Sequence, residues 1–395
     1  MPNDTGHSAV SRRLGLEHSA SSLTVTRLGA LLLGMSFIVS LAASPAPWRS
    51  FPWTMLGLCG AGSVVLASSV RVFHRPTAVD RYLGGLVAVG YLLVLAGVLL
   101  ADWPEQKSAF LTPLYAHLPT LRGLPLNGLA AGVQPNQIGG VLAVIGACAF
   151  NLGLTRPNST VVAGRRMLRP AAWLLCGLCV AVVFLTGSRA ALVAFTAAAM
   201  ATLIMRDRRW VWVPAAAAFA LGLMALLVPD VLRAISDAFL RDETASTKVM
   251  ARLDIWVSAL QGIEDHAFTG IGLGVFNDIV PLRYPYETVG LSYTVSQAHN
   301  IVLDTALALG VPGCLGLITM VSGLVTTSIK TIRRKSLGSS LSTCLLMGLV
   351  AYFIFGITDS LPLSNPSSLT LWFCSFGIIA GARGSQVDRF RNCAL

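Results

Sequence analysis

His299 lies in Ser296-Gln297-Ala298-His299-Asn300, where the polar segment 229–298 gives way to an apolar run. An ionisable side chain at a junction between water and bilayer is a functional site by default. An imidazole titrates near neutrality, so it can take a proton from a hydroxyl nucleophile as a general base. A helix-capping or interfacial histidine is the structural alternative. Asp304 is five residues on and off the face the ring would share, so it should not orient the ring. Gln297 and Asn300 are nearer polar partners. Which group holds the tautomer is not visible in the sequence.

Two arginines share the polar character of this junction. Arg189 stands in Thr186-Gly187-Ser188-Arg189, a tight turn between two apolar runs. A guanidinium there is either an anion clamp or a side chain snorkelling to headgroups. As a clamp it offers a planar fork to a phosphate, helped by the N-terminus of the following helix. Arg252 has Trp256 one helical turn on and Lys248 one turn before. Arginine beside indole suits a phosphate carrying a sugar or an isoprenoid; an amphipathic helix anchored by tryptophan is the alternative. Arg283, in Leu282-Arg283-Tyr284, is a weaker candidate of the same kind. Gly270, Gly272 and Gly274 lack the third-glycine spacing and the strand–helix context of a dinucleotide site. They suit turns and close backbone approach instead. Glu264-Asp265-His266 reads as a solvated loop, and no cluster has zinc spacing, so we expect no metal and no cofactor.

The elements that must position these groups are membrane helices. Hydrophobic residues make up 54% of the 395-residue chain and charged residues 12%, with mean hydropathy +0.69. A soluble domain is about a quarter charged. Continuous apolar runs exclude a β-barrel, whose strands alternate. The fold class is therefore all-α, a polytopic transmembrane bundle. Ten spans are expected at 28–45, 53–70, 82–101, 127–154, 171–187, 190–205, 210–228, 311–329, 340–358 and 367–382, or twelve if short and broken helices count separately. The net charge of +11 sits in short clusters between runs, as the positive-inside rule demands. It faces anionic membrane lipids rather than nucleic acid. Arg12, Arg13 and Arg27 hold the N-terminus inside, and the tail at Arg383, Arg389 and Arg391 returns there. Arg27 followed by 28–43 resembles a signal peptide, but the spans that follow favour a retained first helix. Residues 1–26 are then a disordered cytoplasmic tail, 27–228 hold spans one to seven, and 229–298 form a long outer loop. That loop carries helices at 231–241 and 246–262, with Pro281, Pro285 and Gly290 marking loop after them. Residues 299–384 hold spans eight to ten after an interfacial helix, 299–309, stopped by Gly310 and Pro312. Residues 385–395 are a cytoplasmic tail. The eight cysteines lie mostly in apolar runs and suit packing rather than disulfides. The same parity puts Arg189, Arg252 and His299 together on the outer side.

Together these residues resemble the O-antigen ligase family, within the superfamily that includes O-antigen polymerases and bacterial protein O-oligosaccharyltransferases. The resemblance is carried by Thr186-Gly187-Ser188-Arg189, by Arg252, by Gly270, Gly272 and Gly274, and by Ala298-His299-Asn300 with Gly310 after it. Gln134-Pro135-Asn136-Gln137 adds a weaker match. The family's arginine is often followed by leucine four positions on, where this chain has Val193 and Trp256. The resemblance implies a membrane-embedded glycosyltransferase of the bacterial inner membrane, working on its periplasmic face in lipopolysaccharide biosynthesis. Such an enzyme moves O-antigen polysaccharide from undecaprenyl diphosphate to a hydroxyl of lipid A–core. Arg189 and Arg252 would then bind the donor diphosphate, and His299 would activate the acceptor. An O-antigen polymerase or protein O-oligosaccharyltransferase would differ in acceptor. A transporter or lipid flippase is the alternative of another class; it should show internal repeats and mid-span charges, and neither is evident. Arginines can replace a divalent cation at a leaving diphosphate. We therefore expect full transfer in excess chelator; strict dependence on Mg²⁺ or Mn²⁺ would overturn the arginine clamp.

Overall fold

Apolar backbone in a bilayer must satisfy its own hydrogen bonds, which leaves the helix as the simplest spanning form. The computed structural model describes residues 5–69, 76–103, 112–118, 133–155, 164–227, 243–287, 295–334 and 339–359. In chain order these form α1 (Thr5–Ala43), α2 (Pro47–Ser69), α3 (Pro76–Leu100), the short α4 (Thr112–Tyr115), α5 (Pro135–Leu154), α6 (Gly164–Leu185) and α7 (Arg189–Arg206). A 3-10 turn, Arg208–Val211, leads into α8 (Trp212–Leu227); then come α9 (Glu243–Asp265), α10 (Phe276–Arg283), α11 (Ile301–Arg333) and α12 (Ser339–Thr358). Among the described residues the one extended pairing is an isolated bridge between Ala101 and Val133. Among the described residues, eight helices are long and apolar enough to cross a membrane: α1, α2, α3, α5, α6, α7, α11 and α12. The chain is an all-α polytopic membrane protein.

Two of the ten expected spans are not among those eight. The run 210–228 appears as α8, described as far as Leu227. The run 367–382 lies outside the described residues, as does the expected helix at 231–241. The N-terminal tail expected to be disordered is helical from Thr5. The helix expected at 246–262 is α9. Pro281, expected in loop, lies inside α10.

Small residues set the tightest packing. α1 lies along α11, and a methyl group at Gly29 would fall 2.2 Å from the Met320 backbone nitrogen. Glycine at such a crossing lets two backbones touch. α5 runs among α6, α7 and α12. At its N-terminal end Gly139 faces Thr186 and Ser188 of the α6–α7 turn, and Gly140 faces the Phe355 ring of α12. Tyr115, the last residue of α4, donates its hydroxyl to the Leu185 carbonyl at the same end. The six described cysteines are free thiols, five of them buried.

The interfacial helix expected at 299–309 is continuous with the next span, but Gly310 breaks the path with φ 74° and ψ 172°. The break releases backbone groups, and each finds a partner. Val311 N–H turns away to the Ala267 carbonyl at 2.7 Å, and Pro312 has no N–H to give. The Leu307 and Ala308 carbonyls, left without helical donors, accept from Ile271 N (2.9 Å) and Gly272 N (3.1 Å). Ser40 Oγ also donates to the Ala308 carbonyl. The glycine-rich stretch is thereby hydrogen-bonded onto the kink of α11. Gly270, Gly272 and Gly274 all have positive φ, the region open to glycine and costly for other residues. A methyl on Gly272 would meet Ser44 of the α1–α2 turn and Ser50 of α2, and an Arg49–Asp278 ion pair ties α2 to α10. A second apolar core closes over this assembly, with Ile255, Ala259, Ile271, Val280, Tyr284, Ala298 and Leu307 among its members.

Gly270→Ala would bring a Cβ to 2.3 Å from the Ala308 carbonyl oxygen at a positive φ. We expect it to cost about 1–3 kcal/mol of stability, seen as a lower thermal midpoint of the detergent-solubilised protein. Gly62→Ala, where nothing lies within 4 Å, should leave the midpoint unchanged.

Candidate active site

His299 is the one non-glycine residue with positive φ among the described residues, at 52°. The residues on either side hold it there. Asn300 caps α11, its side-chain oxygen accepting from Val302 N (2.9 Å) and Leu303 N (3.2 Å). Its amide donates to the Ile357 carbonyl near the end of α12 at 3.1 Å. Ala298 is fully buried, and its N–H donates to Asp304 Oδ1 at 3.1 Å. Asp304 thus holds the peptide beside the histidine.

The ring's partner is Asp359, the residue after α12. His299 Nδ1 lies 2.9 Å from Asp359 Oδ1. A carboxylate only accepts, so Nδ1 carries the proton; in the neutral ring Nε2 then has the lone pair that a general base requires. Gln297 Nε2 donates to the same oxygen at 3.2 Å. Its 3.5 Å approach to Nδ1 follows from two donors sharing one acceptor. Asp359 Oδ2 accepts from Asn136 Nδ2 of α5 at 3.2 Å. Arg252 Nη2, on α9, stands 3.9 Å from Oδ2. Asp359's side chain is 3% exposed, His299's 23% and Arg252's 36%. The carboxylate is thus enclosed, while the two groups that could meet substrate remain open.

The other candidates sort by distance from this hub. Trp256 shares the Arg252 side of α9, and its indole N–H is buried with no partner among the described residues. Lys248 lies on α9 one turn before Arg252, with its side chain outside the described ones. Arg189 is exposed at the first position of α7, behind the Ser188 cap, whose Oγ accepts from Ala191 N. Ser188 packs on Gly139, one turn along α5 from Asn136, so Arg189 starts α7 at the end of the bundle that holds Asp359. Arg283 ends α10 as an exposed side chain beside Tyr284 and has no ion pair among the described residues. Tyr286 is no rival to His299 as a base: burial, and Asp254 beside it, push its phenol up to about 12.

Asp359 and the role of Asn136 were missed in the sequence. A signal was present, since Asp359 is the lone acidic residue between Lys335 and Arg383 and follows an apolar run directly. No spacing rule links it to a histidine 60 positions earlier.

Residues 174–318 match the O-antigen ligase family. No curated protein matches the chain. The match takes in Arg189, Arg252 and His299; Asn136 lies before it and Asp359 after it. Members of this family are glycosyltransferase-like enzymes of polysaccharide assembly. That segment, which brings the histidine and both arginines to one end of the bundle, is similar to the O-antigen ligase family.

Proposed function

We propose that this protein transfers an O-antigen glycan from undecaprenyl diphosphate to a hydroxyl of lipid A–core, at the periplasmic face of the bacterial inner membrane. The observation that carries the proposal is the 2.9 Å pair between His299 Nδ1 and the buried Asp359 carboxylate, with Arg252 at the other oxygen of that carboxylate. It couples a base with a defined tautomer to a cation able to meet a phosphate.

His299 Nε2 takes the proton of the acceptor hydroxyl as its oxygen attacks the anomeric carbon. The bond from that carbon to the diphosphate oxygen breaks, and undecaprenyl diphosphate leaves with the electron pair. Attack opposite the leaving group inverts the anomeric configuration. Asp359 stabilises the imidazolium that forms. Arg252 and Arg189 meet the charge growing on the diphosphate, which is where fixed cations lower a barrier most. Arg252 suits this task because it is the loosest partner of Asp359. Three nearer donors already cover the carboxylate, so the guanidinium can turn to a phosphate without stripping it. The unpartnered indole N–H of Trp256 is a donor that a substrate oxygen would satisfy.

Purified protein incubated with lipid-linked O-antigen and lipid A–core tests the proposal. His299→Ala should lower kcat about 10²- to 10⁴-fold, and Arg252→Ala about 10²- to 10³-fold. Transfer unaffected by either substitution would refute the site. Asp359→Asn leaves the shape and loses the charge; kcat should fall at least about 100-fold with KM for the donor little changed, because the ring loses its tautomer rather than the donor its binding. A deletion strain that retains long lipid-linked polymer but lacks capped lipopolysaccharide supports a ligase. Loss of polymer length itself would make the protein a polymerase.

A further inference from the structure

We infer that Asp304 is a positioning residue for His299 that acts through the backbone rather than on the ring. The inference rests on the assignment of His299 as the base. Four hydrogen bonds close the chain around that histidine. Asp304 Oδ1 accepts from Ala298 N at 3.1 Å, Asp304 N donates to the Asn300 carbonyl at 2.8 Å, and Asn300 Oδ1 caps the first turn of α11. The carboxylate reaches back past the cap, as the glutamate of a capping box does, but from one position further into the helix. Between the two anchored residues, Ala298 and Asn300, lies His299, and it absorbs the reversal with φ 52°. Residues with a Cβ rarely enter that region unless their surroundings over-determine it.

The surroundings do so here. Ala298 is fully buried in the second apolar core and Asp304 is 9% exposed. Asp304 lines a small cavity with Gly272, Gly274, Ser296 and Leu307, beneath the glycine stretch bonded to the α11 kink. The backbone on both sides of the histidine is therefore held, and the ring is aimed at Asp359 on another helix. Without the Ala298 anchor the loop is released from its left-handed turn, and the 2.9 Å contact of Nδ1 with Asp359 loses its fixed geometry. The feature of Asp304 that matters is an acceptor oxygen at Oδ1, which asparagine also supplies; the negative charge is secondary.

The test compares Asp304→Ala and Asp304→Asn in purified, folded protein labelled with ¹⁵N-histidine. The His299 ring signals are assigned by their loss in His299→Ala. In the native protein and in Asp304→Asn we expect one tautomer, protonated at Nδ1, and near-native transfer. In Asp304→Ala we expect the ring signals to average between tautomers and kcat to fall about 10- to 100-fold with donor KM unchanged, the scale of a misplaced reacting group. If Asp304→Ala does not fold, Asp304→Ser takes its place, since its hydroxyl is too short to reach Ala298 N. A single Nδ1-protonated tautomer in the Ala or Ser variant would overturn the inference, as would an Asp304→Asn protein as impaired as Asp304→Ala. Full transfer by His299→Ala would instead refute the role of the base, while the ring spectra would still decide what Asp304 does.

Discussion

Burying a carboxylate is the constraint around which this end of the bundle is arranged. Asp359 follows a membrane-spanning helix with 3% of its side chain exposed. An ion in that position costs several kcal/mol unless donors surround it. The donors come from separate parts of the chain: Asn136 from the start of α5, Gln297 and His299 from the segment before α11, and Arg252 from α9. Meeting one electrostatic demand thus brings these elements into register. The same arrangement leaves the imidazole with its lone pair directed away from the carboxylate.

The break in α11 serves the same end by another route. An unbroken helix would consume the Leu307 and Ala308 carbonyls internally. Gly310 and Pro312 free them, and the glycine stretch takes them up. That stretch in turn rests on Ser44 of the α1–α2 turn and Ser50 of α2. The first helix of the chain and the loop before the candidate base are joined through a defect in a span. Such defects are tolerated at membrane depth only where the released backbone is re-satisfied, and here each released group is.

Much of this was legible beforehand. His299 and Arg189 stand out because charged groups are rare in an apolar chain and each interrupts or borders an apolar run; Arg252 stands out by sharing a helix face with Trp256. Seven of the expected spans have clear counterparts among the eight long apolar helices, and the eighth, 311–329, lies within α11. Pro281 misled, because proline is accommodated in the short helix α10 although it usually marks a turn.

The sequence by itself determined the class of the protein and the side chains available for chemistry. Both follow from local properties: hydropathy over some twenty residues, and the type of each polar group at a run's edge. Which of those groups meet was decided only by the tertiary structure. Asp359 and His299 are 60 residues apart, and Asn136 and Asp359 are 223 apart. Contact at such separations depends on which helices pack and at what height. Gly139 and Gly140, by letting the α6–α7 turn and Phe355 of α12 close on α5, set that height. Asp304, one turn into α11, anchors the peptide next to the ring's residue. No periodicity in the chain could have assigned it that role.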